Sequence, residues 1–203
     1  MSELPMRLNV KIALLAVVAA AHVLSSCALL GGRSASRDTF EISAPTGVGS
    51  IRGGTGAQLL IKLPNALKAI DSDRIVVKNG DFGISYLEGV QWSDTVPRMV
   101  QAKLVEAFEN TGSTGATAKP GDGLVIDYQL IPDLRRFEIV DGTAAIEMSI
   151  KLLADRSGRV LDAQIFTARA AASGDDGTAY VAAFDEAFAE LSHQIIRWVF
   201  SAV

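Results

Sequence analysis

The chain has 203 residues, a formal net charge of −4 and 49% hydrophobic residues. This hydrophobic content is typical of a folded domain and too high for a disordered chain. The acidic balance argues against a nucleic-acid-binding protein, which needs a basic face. One cysteine and two histidines are too few for a zinc site of the Cys and His type, and we expect neither a metal nor a cofactor.

The N-terminal residues have the pattern of a bacterial lipoprotein signal peptide. Arg7 and Lys11 make the start positive, and residues 12–24 form an apolar run of 13 residues, shorter than the about 20 that a membrane-spanning helix needs. The run ends in "LSSC", which resembles the lipobox of lipidated proteins. We therefore predict a signal peptide over residues 1–26 and lipidation of Cys27. The alternative is a signal-anchor helix whose cysteine is incidental.

Residues 27–38 are predicted to be the lipidated N-terminus and a flexible tether. They are rich in Gly and Ser, and a tether of this length has an r.m.s. span of about 18 Å. Ala28 follows the cysteine where an aspartate favours inner-membrane retention in enterobacteria, so the outer membrane is favoured over the inner membrane. We predict a lipid-anchored protein on the periplasmic face of the cell envelope, with residues 39–203 as a single periplasmic domain.

The first half of this domain is predicted to contain short strands. "TFEIS" (39–43) alternates like an edge strand, and residues 58–64, 74–79 and 82–88 are rich in β-branched residues. The "NGD" between the last two predicts a tight hairpin. The glycine-rich residues 44–57 match neither a P-loop nor a dinucleotide fingerprint, so we expect a flexible loop there.

Two amphipathic helices are predicted on either side of a β meander. The first is capped by Ser93 or Asp94, has Pro97 in its first turn and ends at Gly112. The last begins at Asp175, Asp176 or Thr178 and carries an apolar stripe. Three β runs lie between them, at 124–140, 143–155 and 160–170. The order strands, helix, strands, helix predicts an α+β two-layer sandwich, a mostly antiparallel sheet with both helices packed on one face.

The residues do not form a recognisable catalytic set. His193 is the single histidine outside the predicted signal peptide and lies mid-helix between apolar residues, and no G-x-S-x-G elbow is present. The aspartate pairs Asp71 with Asp73 and Asp175 with Asp176 occur at turns and helix starts, where aspartate caps the backbone. We therefore predict a protein that is not an enzyme, with a cryptic periplasmic hydrolase as the disfavoured alternative.

Several side chains are candidates for contact with a partner. Arg135 and Arg136 are adjacent in a predicted strand and should point to opposite faces, so that one of them faces solvent. The C-terminal "RWVFSAV", which contains Trp198, either completes the core or presents an interaction patch.

The longer motifs resemble the ABC-type transport auxiliary lipoproteins, which accompany MCE-domain lipid transporters of Gram-negative bacteria. The motifs are "TFEISAP", "IKLPNALKAIDSDRIVV", "ISYLEGVQWSDTVPRMVQAKLVEAFENTG" and "AFDEAFAELSHQIIRW", and they span residues 39–198. The most specific part is Trp92, the Pro97 that follows it and the helix pattern after that proline. Met99 and Val100 stand where the family usually has leucines.

The resemblance implies a membrane-tethered periplasmic component of an intermembrane lipid-transport system. Its partners would be an MCE-domain protein, the membrane through the lipidated cysteine, and phospholipid or a similar apolar cargo; a homo-oligomer is an open alternative. Tyr86, Trp92 and Arg98 join the arginine pair and Trp198 as candidate partner or lipid contacts, although Trp92 is first a core anchor. The alternative is an assembly lipoprotein that supports outer-membrane machinery without handling lipid.

Overall fold

The structure is a computed structural model that describes residues 37–47 and 56–203. The predicted signal peptide, Cys27, most of the tether and residues 48–55 of the glycine-rich loop lie outside the described residues. Residues Arg37–Val203 form one compact unit. The described strands and helices, in chain order, are β1 (Asp38–Phe40), β2 (Gln58–Ile61), β3 (Asn65–Ala66), β4 (Val76–Asn79), β5 (Gly83–Tyr86), β6 (Val90–Trp92), α1 (Val96–Glu109), β7 (Ala116–Ala118), β8 (Tyr128–Val140), β9 (Thr143–Ala154), β10 (Arg159–Ala171) and α2 (Gly177–Ala202).

The strands β8, β9 and β10 form the predicted meander. They pair antiparallel in the order β10-β9-β8, and the connections between them are short enough for hairpins. Inward-facing apolar residues alternate with outward-facing polar ones along β9. The run predicted from residue 124 begins as a strand only at Tyr128, because Leu124 and Val125 lie in an exposed loop.

The predicted α+β class is confirmed, but the prediction of a mostly antiparallel sheet is wrong. The eight-stranded sheet is curled and mixed, and four of its seven described strand pairings are parallel. The strands β1 and β6 pair in parallel in a separate two-stranded sheet. The strands β2, β3 and β4 all pair with β8 in the parallel sense. Parallel pairing needs a long crossover connection, and α1 lies in the chain between these strands and β8. The short strands β3, β6 and β7 are additions that the sequence pattern does not predict.

Both predicted helices are present. α1 begins after Thr95, which makes no side-chain cap hydrogen bond, so the predicted caps Ser93 and Asp94 are each displaced from the cap position. In α2 the predicted Asp176 is the N-cap, and its carboxylate accepts a hydrogen bond from the backbone N–H of Ala179 at 2.8 Å. The buried faces of both helices join the sheet residues in one hydrophobic core.

The centre of this core is an aromatic cluster that joins the sheet to α2. Trp92 on β6 makes edge-on contacts with Phe137 on β8 and Phe184 on α2, with ring centroids 5.7 and 5.4 Å apart. Phe137 and Phe184 stack on each other at 4.6 Å. Burying these large aromatic rings supplies much of the apolar stabilisation of the core.

Candidate functional site

The two tryptophans lie in the core. Trp92 is 1% exposed, and its indole N–H has no hydrogen-bond partner among the described residues. Trp198 is also buried, packs edge-on against Phe166 at 5.3 Å and donates from Nε1 to Asp162 at 2.7 Å. Neither ring presents a face to a ligand, so both anchor the fold rather than a contact surface.

Tyr86 is half-buried at the end of β5. The guanidinium of Arg74 lies 4.9 Å from the centre of its ring, which is a cation–π contact. This arrangement stabilises the root of the hairpin formed by β4 and β5. Tyr86 therefore has an internal partner, and its hydroxyl-bearing edge is only partly available to solvent.

The adjacent arginines of β8 both lie on the outer face of the sheet, contrary to the predicted opposite faces. The strand register shifts between Leu134 and Arg136, which marks a bulge at Arg135. Leu134 and Phe137 both remain buried on the inner side. A bulge inserts one residue into the strand, so the alternation is interrupted and neither arginine turns toward the core.

Each arginine is held by carboxylates. Arg135 lies 3.6 Å from Asp133 and 3.6 Å from Glu147, and Arg136 lies 2.7 Å from Glu138. The Glu138 side chain is only 13% exposed, so its pair is the better shielded of the two. Arg135 keeps more of its surface free for a partner.

A groove crosses the outer face of the meander beside Arg135. It has a volume of about 370 Å³ and is called the outer-face groove below. Its lining residues are Asn65, Ile131, Pro132, Asp133, Arg135, Ser149 and Lys151. A second depression of about 470 Å³, lined by Ser149, Ala163, Gln164 and Ile165, continues it across β10.

The strand register explains how these residues meet. Asp133, Ser149 and Ile165 are directly opposite one another on β8, β9 and β10, and the next row contains Ile131 and Lys151. Directly opposite residues share one face of a sheet. The result is a shallow surface on which apolar Ile131 lies beside Lys151 and apolar Ile165 lies beside Ser149. Together with Arg135, this combination is suited to a protein partner with acidic residues.

Arg98 lines a different surface, a cleft beside the N-terminal turn of α1. The cleft has a volume of about 380 Å³ and is lined by Leu63, Arg98, Gln101, Lys119, Pro120 and Asp122. Gln101 is fixed by a hydrogen bond from Nε2 to the carbonyl oxygen of Ile61 at 2.9 Å. Asp122 accepts from the backbone N–H of Lys119 at 2.7 Å, which shapes the loop at the rim.

The candidate catalytic groups have other surroundings. Asp176 caps α2, and Asp71 lies 3.9 Å from Lys68 in an exposed ion pair. His193 has a buried Nε2 with no hydrogen-bond partner in the described part of the chain. Within residues 37–47 and 56–203, no group of three or more His, Cys, Asp or Glu side chains could hold a metal ion.

A small depression lies between α2 and the sheet. That cavity has a volume of about 10 Å³, room for about one water molecule. Tyr128, Val199 and Phe200 line it. No described helix is both long and apolar enough to cross a membrane.

Sequence reasoning did not identify Ser149, Lys151 or Lys119. A signal for the first two was present, because the inward residues Ile146, Met148 and Ile150 fix the alternate positions of β9 as outward. No such signal existed for Lys119. It lines the same cleft as Arg98 only because of the fold, and the two residues are 21 positions apart in the chain.

Comparison with known proteins identifies the family to which this sequence is similar. The family model described as "ABC-type transport auxiliary lipoprotein component" matches residues 40–196. The uncharacterized protein bll6063 of Bradyrhizobium diazoefficiens is 30% identical over 175 residues, which is 85% of this chain and 47% of the relative. The chain thus spans about half the length of that curated relative.

Solved structures share the fold. The protein XCC0632 from Xanthomonas campestris superposes with a TM-score of 0.75 at 28% identity, covering 83% of this chain and 96% of that chain. A second crystal structure, of an uncharacterized protein, superposes with a TM-score of 0.66 at 14% identity, covering 81% and 99% of the two chains. The second likeness shows the fold alone.

Proposed function

This chain belongs to the ABC-type transport auxiliary lipoprotein family, and we propose that it is a non-enzymatic adaptor of an MCE-type lipid-transport system. In this role it binds a protein component of the transporter while Cys27 holds it at the periplasmic face of a membrane, the outer membrane in preference to the inner. The transported substrate is a phospholipid or a similarly apolar molecule.

The outer-face groove is the observation that carries the adaptor role. It combines the apolar residues Ile131 and Pro132 with the cations Arg135 and Lys151, and arginine is enriched in protein interfaces. Asp133 and Glu147 hold the Arg135 guanidinium in place, which lowers the conformational entropy lost when a partner binds. We assign this groove to an MCE-domain or permease subunit that presents carboxylates.

The packing favours an adaptor over a carrier that encloses lipid. An enclosed acyl chain needs a cavity far larger than one water molecule, and the cavity between α2 and the sheet measures about 10 Å³. The outer-face groove and the cleft at Arg98 are larger, but both are open to solvent and partly charged. In this proposal a lipid in transit contacts the surface of the protein.

Charge reversal in the groove tests this role. The lipidated protein and its double variant Arg135→Glu/Lys151→Glu would be used to capture partners from detergent-solubilised native membranes. Lys68→Glu, a change of an exposed lysine outside the groove, is the matched control. We expect the wild type and the control to retain ABC-transporter components and the double variant to lose them.

The captured proteins also discriminate the alternative. Recovery of outer-membrane assembly proteins alone, by the wild type and the control, would favour the structural lipoprotein over the transport adaptor. Equal recovery of transporter components by all three proteins would remove the groove from the interface.

A further inference from the structure

The hairpin of β4 and β5 ends in an exposed aromatic side chain. Phe82 is 96% exposed and Ile84, two residues further along, is 48% exposed. The hairpin itself is well formed: Asn79 pairs with Gly83, and the Asn79 side chain donates from Nδ2 to the Ser85 hydroxyl at 2.8 Å. A fully exposed phenylalanine on an ordered turn is costly in water.

Phe82 lies in the turn that precedes β5, and Ile84 follows it on the strand, on the face that also carries Tyr86. Alternate residues of a strand share a face, and the root of this face is Tyr86 under the Arg74 guanidinium. Lys78 is the directly opposite partner of Ile84. Directly opposite residues share a face, so Lys78 lies beside Ile84. The tip thus presents two apolar side chains next to a lysine whose charged end can remain in water, an amphipathic arrangement that suits a membrane–water interface.

The N-terminal end of β1 lies on the side of this tip. β5 runs away from the tip, and β6 continues in that direction. The amide of Leu87 donates to the carbonyl of Ile75, and the amide of Trp92 donates to the carbonyl of Asp73, which is further from the tip. β1 is parallel to β6, with Asp38 paired to Val90. The N-terminal end of β1, at Asp38, therefore faces the end of the described domain that carries Phe82.

The lengths of chain involved allow the tip to reach the membrane that holds the anchor. Val90 follows Phe82 by eight residues, so the tip lies within about 29 Å of the point where the chain joins β1. The predicted tether from Cys27 to Asp38 has an r.m.s. span of about 18 Å and a fully extended length of about 40 Å. An anchored domain can therefore lower this end onto the lipid surface.

We infer that the β4–β5 hairpin is a membrane-contacting element that places Phe82 and Ile84 in the bilayer interface next to the lipid anchor. The inference rests on the proposed lipidation of Cys27. Charges of both signs surround the tip, including Lys78, Asp81 and Asp141, so the contact is apolar and does not require anionic lipid. It would orient the domain so that the outer-face groove has a fixed direction relative to the membrane.

Fluorescence of an introduced tryptophan tests this contact directly. The lipidated full chain carrying Phe82→Trp would be reconstituted into phosphatidylcholine vesicles with brominated acyl chains, which quench an indole in the hydrocarbon region. Val125→Trp is the matched control, because Val125 is 72% exposed and precedes β8 at the opposite end of the sheet. Trp92 and Trp198 are buried in both variants and give a common background.

We expect a blue shift and a loss of emission for Trp at position 82 and neither for Trp at position 125, with no dependence on ionic strength. Equal emission from both variants on protein that remains bound to vesicles would overturn the membrane contact while leaving the anchor and the adaptor role intact. Burial of position 82 only after envelope proteins are added would overturn it in favour of a protein contact. Failure of the protein with intact Cys27 to remain on vesicles would contradict the anchor and this inference together.

Discussion

The indole ring of Trp92 meets the ring of Phe184 edge-on, with centroids 5.4 Å apart and ring planes inclined at 83°. This contact joins the short strand β6, just before α1, to the middle of α2. The two residues are separated by 92 positions in the chain. The most specific residue of the family motif is thus the point where the two halves of the domain are held together.

We predict that Trp92→Ala destabilises the domain by about 3–5 kcal/mol, the usual cost of removing a large buried aromatic side chain. Trp92→Phe should cost clearly less, because the buried indole N–H has no hydrogen-bond partner among the described residues and no such bond is lost. Urea unfolding followed by circular dichroism measures both values. Equal losses for the two variants would contradict the assignment of Trp92 as an apolar anchor.

The second prediction concerns the first residue of α2. A Cβ added to Gly177 would lie 2.4 Å from Cγ1 of Val90, so Gly177→Ala should destabilise the domain by about 1–3 kcal/mol through overpacking. Gly174→Ala is the control, because its added Cβ meets only Ala179 at an ordinary 3.5 Å. Thermal unfolding should show a lower Tm for the first variant alone.

A second substitution checks the cause. Val90→Ala removes the clashing methyl group. The loss of stability caused by Gly177→Ala should therefore be smaller in the Val90→Ala background than in the wild type. Strictly additive losses would show that Val90 is not the reason for the effect.

The third prediction is a pH dependence at Lys103. Burial lowers the pKa of this ammonium group and is the largest single influence, but the hydrogen bond and charge of Glu41, together with Glu106, outweigh it and hold the pKa above 10.5. Lys103 lies 3.1 Å from Glu41 and 3.4 Å from Glu106. Because the folded-state pKa is raised, its stabilisation is fully present below the unfolded pKa and is lost as pH rises through the folded value.

We therefore expect Lys103→Met to lower the free energy of unfolding by about 0.5 kcal/mol at pH 8, the usual scale of a partly exposed ion pair. The difference from wild type should shrink at higher salt, and it should also shrink as the pH rises through the raised pKa of Lys103. Urea unfolding of both proteins across this pH range is the measurement. A difference that stays constant from pH 8 to pH 11 would mean that the lysine acts through packing.

The fourth prediction separates the two arginines of β8. Arg136→Ala leaves the largely buried Glu138 carboxylate without its partner at 2.7 Å and should cost about 1–3 kcal/mol of stability. Arg135→Ala breaks more exposed ion pairs and should cost less than about 1 kcal/mol, while weakening capture of the transporter partner. Chemical unfolding measures the stability of both variants, and capture from membranes measures partner binding. Loss of capture by Arg136→Ala and not by Arg135→Ala would show that Arg136 faces the partner.

Local patterns in the sequence predict the elements whose partners are close in the chain. The β8–β9–β10 meander follows from the alternation of Ile146, Met148 and Ile150 and from the short turns between strands. Asp176 at the start of α2 is likewise a local signal, because an N-cap acts on the backbone three residues away.

Non-local pairing is what the sequence does not show. β4 joins β8 in the parallel sense across a gap of 62 residues, with Val76 opposite Glu138, and a strand pattern carries no mark of that partner. The bulge at Arg135 is invisible for the same reason, since it depends on how β8 meets β9. Sites assembled from several strands, such as the outer-face groove, can therefore be located only once the pairing of the strands is known.

The measurement that tests the adaptor role most directly is photocrosslinking from the floor of the outer-face groove in living cells. A photoreactive amino acid would replace Ser149, which lies between Asp133 and Ile165 on the three strands, and covalent partners would be identified by mass spectrometry. The same residue placed at Lys68 is the control. Our account predicts a crosslink from position 149 to an MCE-domain or permease component of an ABC transporter and none from position 68. Crosslinks from position 149 only to outer-membrane assembly proteins, or to no protein, would contradict it.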